Sequence, residues 1–130
     1  MIDELQMEKR IETILEISRR VFFELGGGYS ETVYESAMMV DFRKEGVPYK
    51  LRPDVDILYQ GERVGFQQVD FLLWGDIAVE IGVGGIITMD HISRMTTCFK
   101  SHDVIRRAII VNFPYSNNRE DGIRHMVIPG

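Results

Sequence analysis

The hydrophobic period of this chain changes at Lys50, and that change restricts the folds open to it. Before Lys50 the apolar residues recur at helical spacing. Leu5, Ile11, Ile14, Leu15, Val21, Phe22 and Leu25 form one stripe, with Glu8, Lys9, Glu12, Glu16 and Arg20 between them. This pattern predicts an amphipathic first helix, interrupted by Gly26, Gly27 and Gly28. Ser30 and Glu31 then offer an N-cap and an acid at the positive end of a second helix. Its apolar face is Val33, Tyr34, Ala37, Met38 and Phe42, and Gly46-Val47-Pro48 should stop it near Glu45. From Lys50 the period is two: Leu51, Val55, Ile57 and Tyr59 precede a turn at Gln60-Gly61, and a second strand is predicted from about Arg63 to Leu73. After the turn Trp74-Gly75-Asp76 comes Ile77-Ala78-Val79-Glu80-Ile81, a nearly continuous apolar run of the kind a fully buried strand carries. Beyond Gly82 to Gly85, Thr88 or Asp90 is placed to cap a third helix containing Ile92, Met95 and Phe99. A short buried strand at Ala108 to Val111, a loop at Pro114 to Asp121 and a last strand near Ile123 to Ile128 complete the order. Helices and strands that alternate in this way predict an α/β domain with a mixed sheet flanked by helices.

Size and composition limit the function. A chain of 130 residues, 45% of them hydrophobic, is the length of one domain with its own core, and it contains no repeat or linker. Cys98 is the single cysteine, which excludes an internal disulfide and any multi-cysteine zinc site and fits a reducing, intracellular location. No apolar run approaches the roughly 18 residues of a membrane span, and Met1 to Arg10 is charged where a signal peptide needs its hydrophobic region, so a soluble protein is expected. The formal net charge of −5 opposes broad binding to polyphosphate, so nucleic acid would need a local basic patch. Arg106-Arg107 with Arg94, Lys100 and His102 is one candidate; a solvated edge is the other reading. The three glycines lack the Lys-Ser or Lys-Thr of a phosphate loop and read as a connector. His91, His102 and His125 have no zinc-like spacing, and Cys98 reads as a buried small residue in preference to a catalytic thiol.

Glu80 is the anomaly of the buried strand, because a carboxylate there is costly unless paired, protonated or bound to a metal. Around it lies a wider pattern. Gly28-Tyr29-Ser30-Glu31-Thr32-Val33-Tyr34 fits Gly-x-x-Glu-x-x-Tyr, and Glu35 and Ala37 continue it. Further stretches follow in order: Arg43-Lys44-Glu45-Gly46-Val47-Pro48, Tyr59 to Gly65, Val69-Asp70-Phe71-Leu72-Leu73, Val79-Glu80-Ile81, His91 and Val111-Asn112-Phe113. In these residues the chain resembles the GxxExxY protein family, which belongs to the PD-(D/E)XK nuclease superfamily. The resemblance implies a restriction endonuclease-like αβββαβ core, here with an extra helix in front and an extra strand behind.

The resemblance also implies a metal-dependent site. Mg²⁺ or Mn²⁺ would be held by Asp70, Glu80 and the backbone carbonyl of Ile81, with Glu31 binding a second ion or a metal-bound water. On the residues alone, Asp70 could instead serve a turn, Glu80 could pair with Arg94 or Lys100, and Glu31 could complement its helix dipole. The pattern then breaks. Where the family strand reads Glu-x-Lys this chain reads Glu80-Ile81-Gly82, so the catalytic lysine is absent. The family tends to carry Arg two positions before the aspartate and Gln on the following helix; here those positions are Gln68 and Arg94, and Cys98 replaces a later tyrosine. Positioned proton transfer of the lysine's kind is typically worth about 10²- to 10⁴-fold. The expected function is therefore a degenerate, catalytically inactive nuclease-fold protein that acts as a binding or structural component with protein or nucleic-acid partners. The alternative is a Mg²⁺-dependent nuclease in which Arg94 or Lys100 replaces the lysine, although a guanidinium is a poor base near neutrality. A structural subunit would show an exposed apolar patch, with Phe66, Trp74, Phe113 and Tyr115 as candidates.

Overall fold

A computed structural model describes residues 2–101, 104–116 and 122–129. Helix α1 runs over Glu4–Leu25 and α2 over Glu31–Glu45, followed by strands β1 (Tyr49–Leu51), β2 (Asp54–Tyr59), β3 (Glu62–Gln68), β4 (Phe71–Leu73) and β5 (Ile77–Val83). Helix α3 (Met89–Ser101), β6 (Arg107–Phe113) and β7 (Arg124–Ile128) complete the chain. The main sheet has the order β1-β4-β5-β6-β7, and β2 and β3 form a separate two-stranded sheet. Among the described residues only β5 and β6 pair in parallel, with α3 as the crossover between them. The sheet is therefore mixed and flanked by helices, as the changing period predicts.

The alternation of side chains along β5 sorts the core into two layers. Ile77, Val79 and Ile81, with Ile109, Val111 and Phe113 of β6, face α1 and α2. Ala78, Ala108 and Ile110 pack instead with Met95 and Cys98 of α3. By the same alternation Glu80 and Gly82 lie on the α3 side. Tyr34 of α2 stacks on Phe113 with ring centroids 4.2 Å apart, and Phe42 meets Phe71 edge-on at 5.2 Å. Such pairs contribute about 0.5–1.5 kcal/mol each beyond their buried area. The Tyr34 hydroxyl donates to the Gly26 carbonyl at 2.7 Å, fixing the α1–α2 connector to the start of α2. Gly27 has no room for a side chain, since a Cβ would lie 2.3 Å from the Ser116 carbonyl oxygen. The glycine triplet is thus a connector whose middle residue packs closely against the segment after β6.

Three expectations need correction. The stretch from Lys50 to Tyr59 is two strands, because Arg52 takes a left-handed φ of 48° before Pro53 and turns the chain. The stretch from Arg63 to Leu73 also divides, at Val69-Asp70, so β2 and β3 leave the main sheet as a hairpin while β1 and β4 stay in it. Ser30 occupies the N-cap position of α2 but caps no backbone N–H; its hydroxyl lies 3.0 Å from that of Thr32. The acid of Glu31 in the first turn supplies the dipole complement that remains. At α3, Thr88 rather than Asp90 is the cap: its Oγ1 accepts from the His91 N–H at 3.2 Å, and the His91 Nδ1 lies 3.4 Å from the Thr88 N–H.

Candidate functional site

The register of β4 against β5 pairs Phe71 with Val79, and one further step sets Asp70 opposite Glu80. Asp70 sits just before β4, where the ladder has ended and its side chain is free to bend over the neighbouring strand. Its Oδ2 accepts from the Ile81 N–H at 2.7 Å. A strand residue's N–H and C=O point to the same side, so the Ile81 carbonyl faces this edge as well. Asp70, Glu80 and Ile81 are thereby brought together as the sequence predicts.

Glu80 is only 6% exposed, yet Asp70 stands beside it. Burial, then the hydrogen bond and charge of Asp70, push its carboxyl up to about 8. Arg94 opposes that shift, with Nη1 at 2.9 Å from Glu80 Oε2, and Glu31 adds to it weakly. The Arg94 contact is close but not aligned as a hydrogen bond, so Oε2 is buried and accepts none. The other arm of the guanidinium, Nη2, donates to the Gln68 carbonyl at 3.1 Å, while Gln67 Nε2 donates to the Arg94 carbonyl at 2.9 Å. Arg94 therefore ties α3 to the β3–β4 junction that carries Asp70. Lys100, the other candidate cation, is exposed and makes no ion pair among the described residues.

A second ion pair borders the centre. Glu35, one turn after Glu31 on α2, is 3% exposed and accepts from Arg52 Nη1 at 2.7 Å. Burial raises its pKa against the pull of Arg52, and Asp70 and Glu31 add to the rise. The Arg52 N–H also donates to the Asp70 carbonyl at 2.8 Å, so the strained Arg52 joins the two acids. Sequence reasoning passed over this pair. Its signal was an acid following Tyr34 directly, at the helical spacing that puts it on the same side of α2 as Glu31.

Gly82 extends the Glu80 face of β5, opposite Asn112 in the parallel register. A Cβ at Gly82 would lie 2.7 Å from Asn112 Nδ2 and 3.4 Å from His91 Cε1. The Asn112 amide, fully buried, donates to the Ile86 carbonyl at 3.1 Å and accepts from the Gly85 N–H. It therefore stands in the space where a side chain at position 82 would begin.

The other candidates have structural roles. Cys98 is buried in the α3 layer, and burial and Glu80 both raise its pKa, so the thiol stays protonated. No cluster of three or more His, Cys, Asp or Glu side chains suited to a metal occurs among the described residues. Arg106 donates to the Ile2 carbonyl at 3.2 Å and Arg107 pairs with Glu4, so both tie the start of α1 to β6 instead of forming a phosphate patch; His102 lies outside the described residues. The anticipated apolar patch is not one surface: Phe66 and Tyr115 are exposed, Phe113 is fully buried, and Arg10 covers the half-buried Trp74 ring. No described helix is long and apolar enough to cross a membrane.

The family model of the PD-(D/E)XK nuclease superfamily matches residues 8–126. The chain belongs to the PD-(D/E)XK nuclease superfamily. Its five-stranded mixed sheet flanked by helices is consistent with that fold. No curated protein and no solved structure matches the chain.

Proposed function

We propose that this protein is a GxxExxY-type member of the superfamily that has lost hydrolysis and serves as a binding or structural component of an assembly inside the cell. One observation carries the reading: the lysine position is Gly82, and the Asn112 amide occupies the start of the space its side chain would need. Gly82 itself offers no ammonium to orient or deprotonate water. Arg94 does not make up the loss, because its guanidinium lies against Glu80 and the Gln68 carbonyl and stays protonated near neutrality.

Glu80 Oε2, buried and with no hydrogen bond beside its ion pair with Arg94, supports the second reading, a Mg²⁺- or Mn²⁺-dependent nuclease. Asp70, Glu80 and the Ile81 carbonyl are oxygen donors of the kind a hard divalent ion takes, with Glu31 near enough to act through a bound water. Bound there, such an ion would acidify water and offset phosphate charge. In that reading Arg94 stabilises negative charge, and Asp70 holds its carboxylate in place through the Ile81 N–H.

Calorimetric titration with Mg²⁺ and with Mn²⁺, run on wild type and on Asp70→Ala/Glu80→Ala alongside cleavage of single-stranded and duplex substrates, separates the two. The non-hydrolytic reading expects no cleavage from either protein. Metal binding and cleavage in wild type, both lost in the double variant, would replace it with the nuclease.

A further inference from the structure

We infer that Arg94 is a built-in counter-cation of the Asp70–Glu80 pair, whose guanidinium takes the place of a divalent ion and lowers the centre's affinity for one by about 10- to 100-fold. The inference deepens the reading of this centre given above. It rests on that reading in one respect, that Asp70, Glu80 and the Ile81 carbonyl are the oxygens an ion would meet.

The geometry sets the cation where an ion would act. Glu80 Oε2 is buried, and Arg94 Nη1 lies 2.9 Å from it. The contact is not aligned as a hydrogen bond, so what holds the two together is charge, as it would be with a metal ion. Mg²⁺ takes its oxygens at about 2.0–2.1 Å. To reach Oε2 at that distance an ion has to displace the guanidinium, the half-exposed neighbour that touches it. Arg94 is also fixed, unlike a loose counter-ion. Its Nη2 donates to the Gln68 carbonyl at 3.1 Å, and Gln67 Nε2 donates to the Arg94 carbonyl at 2.9 Å. Side chain and main chain of one residue are thus both tied to the segment that leads into Asp70.

The charges round the centre leave this task to Arg94. Glu31, Glu35, Asp70 and Glu80 lie within electrostatic reach of one another. The Arg52 guanidinium is engaged by Glu35, with Nη1 at 2.7 Å from its Oε2. Arg94 is therefore the cation in contact with Glu80 among the described residues. A lysine at position 82 would not be a metal ligand. Glycine there removes a positive charge, which by itself makes the acids more attractive to an ion, so what opposes the ion is Arg94. Solvent at the half-exposed guanidinium screens the effect, which keeps it to about 10- to 100-fold and below that of a fully buried pair.

The test is calorimetric titration with Mn²⁺ at pH 8 of wild type, Arg94→Gln, Arg94→Lys and Arg94→Gln/Asp70→Ala, with electron paramagnetic resonance of Mn²⁺ as a second readout of bound ion. Arg94→Gln should bind Mn²⁺ about 10- to 100-fold more tightly than wild type. Adding Asp70→Ala should remove that gain, which places the ion at this centre. Lysine keeps the charge, but on a flexible stem without the planar fork, so its head gives way to an ion more readily and Arg94→Lys should fall between wild type and Arg94→Gln. Circular dichroism verifies folding; should Arg94→Gln not fold without its cation, the comparison of Arg94→Lys with wild type decides instead. Equal affinity in wild type and Arg94→Gln, no binding by either, binding kept in Arg94→Gln/Asp70→Ala, or Arg94→Lys no tighter than wild type would each overturn the inference. Cleavage of an oligonucleotide, assayed alongside, keeps the two proposals apart. Wild type that cuts refutes the non-hydrolytic reading and leaves the affinity ratio to decide this one, whereas equal affinities without cleavage refute this one alone.

Discussion

Replacing Glu80 by Gln tests the electrostatics of the centre directly, because it keeps the shape of the side chain and removes its charge. In the folded protein burial and Asp70 raise the Glu80 carboxyl to about 8, from an ordinary value of 4.5. Below pH 4.5 the group is protonated in both states and favours neither. Above it the unfolded chain ionises while the folded one does not, so unfolding is favoured by about 1.4 kcal/mol for each pH unit until the folded value is reached. The stability present at low pH is thus lost as pH rises towards 8. Over the full window that amounts to at most about 5 kcal/mol, and about 2–4 is expected because Asp70 and Glu80 share their protons. Other carboxylates tilt the curve the opposite way, so the quantity to measure is the difference between wild type and Glu80→Gln. Urea unfolding followed by circular dichroism at pH 5, 6, 7 and 8 should show Glu80→Gln gaining on wild type at each step. A difference that stays constant, or that shrinks as pH rises, would refute the reasoning. Mg²⁺ added at pH 8 gives a second readout. If wild type regains the lost stability and Glu80→Gln does not, the centre binds metal after all.

Gly82→Lys alone should not restore cleavage and should cost about 1–3 kcal/mol in urea unfolding, because its Cβ meets the Asn112 amide; adding Asn112→Ala should recover part of that cost. Tyr34→Phe leaves the Gly26 carbonyl without its donor and should cost about 1–2 kcal/mol, measured by the same unfolding. Arg52→Met removes the partner of a buried Glu35. With Arg52 itself half-exposed and the pair partly screened, a loss of about 1–3 kcal/mol at pH 8 is the expected result, shrinking as pH falls because burial raises the Glu35 pKa and its protonation removes the unpaired charge.

The sequence was most legible where one face of an element is buried and the other wet. The stripe from Leu5 to Leu25 predicted α1, and Ile77 to Ile81 predicted the strand at the heart of the sheet. The same rule misled between Lys50 and Leu73. Val55, Ile57 and Tyr59, and then Val64 and Phe66, alternate like core residues, but Tyr59, Val64 and Phe66 are all more than half exposed. Periodicity records that a strand has two faces, not which sheet it joins, and the two breaks that free the hairpin lie at a left-handed Arg52 and at Val69-Asp70, where no glycine marks the departure. In the site, Asp70 and Glu80 were visible because a carboxylate in an apolar strand stands out. Glu35 was hidden because acids on helices are ordinary, and only tertiary packing makes this one buried. The closed space at Gly82 was hidden too, since it depends on a neighbouring strand thirty residues away.

The charge balance of the centre follows from two changes of different consequence. The resemblance to the GxxExxY family leads one to expect Arg at position 68 and Gln at position 94, and this chain carries the reverse. Arg94 Nη2 reaches the Gln68 carbonyl at 3.1 Å, so the two positions are neighbours and the exchange moves a cation from strand to helix without removing it. On the proposed non-hydrolytic reading, the lysine that the resemblance leads one to expect at position 82 has no such counterpart. The centre is left with Asp70 and Glu80 beside one guanidinium that is half in solvent, and the deficit is met by a proton on Glu80 near neutrality. A protonated acid does not attract a divalent ion, and a guanidinium already placed beside it makes entry harder still. If the lysine alone were restored, the second cation would favour ionised Glu80 over its neutral form; with Asn112 also cleared from the path, the same two substitutions should lower the pH at which the centre first takes up Mg²⁺. That order of events, ionisation first and metal second, is measurable by titrating Gly82→Lys/Asn112→Ala with Mg²⁺ at pH 6, 7 and 8, and metal uptake that is independent of pH would contradict it.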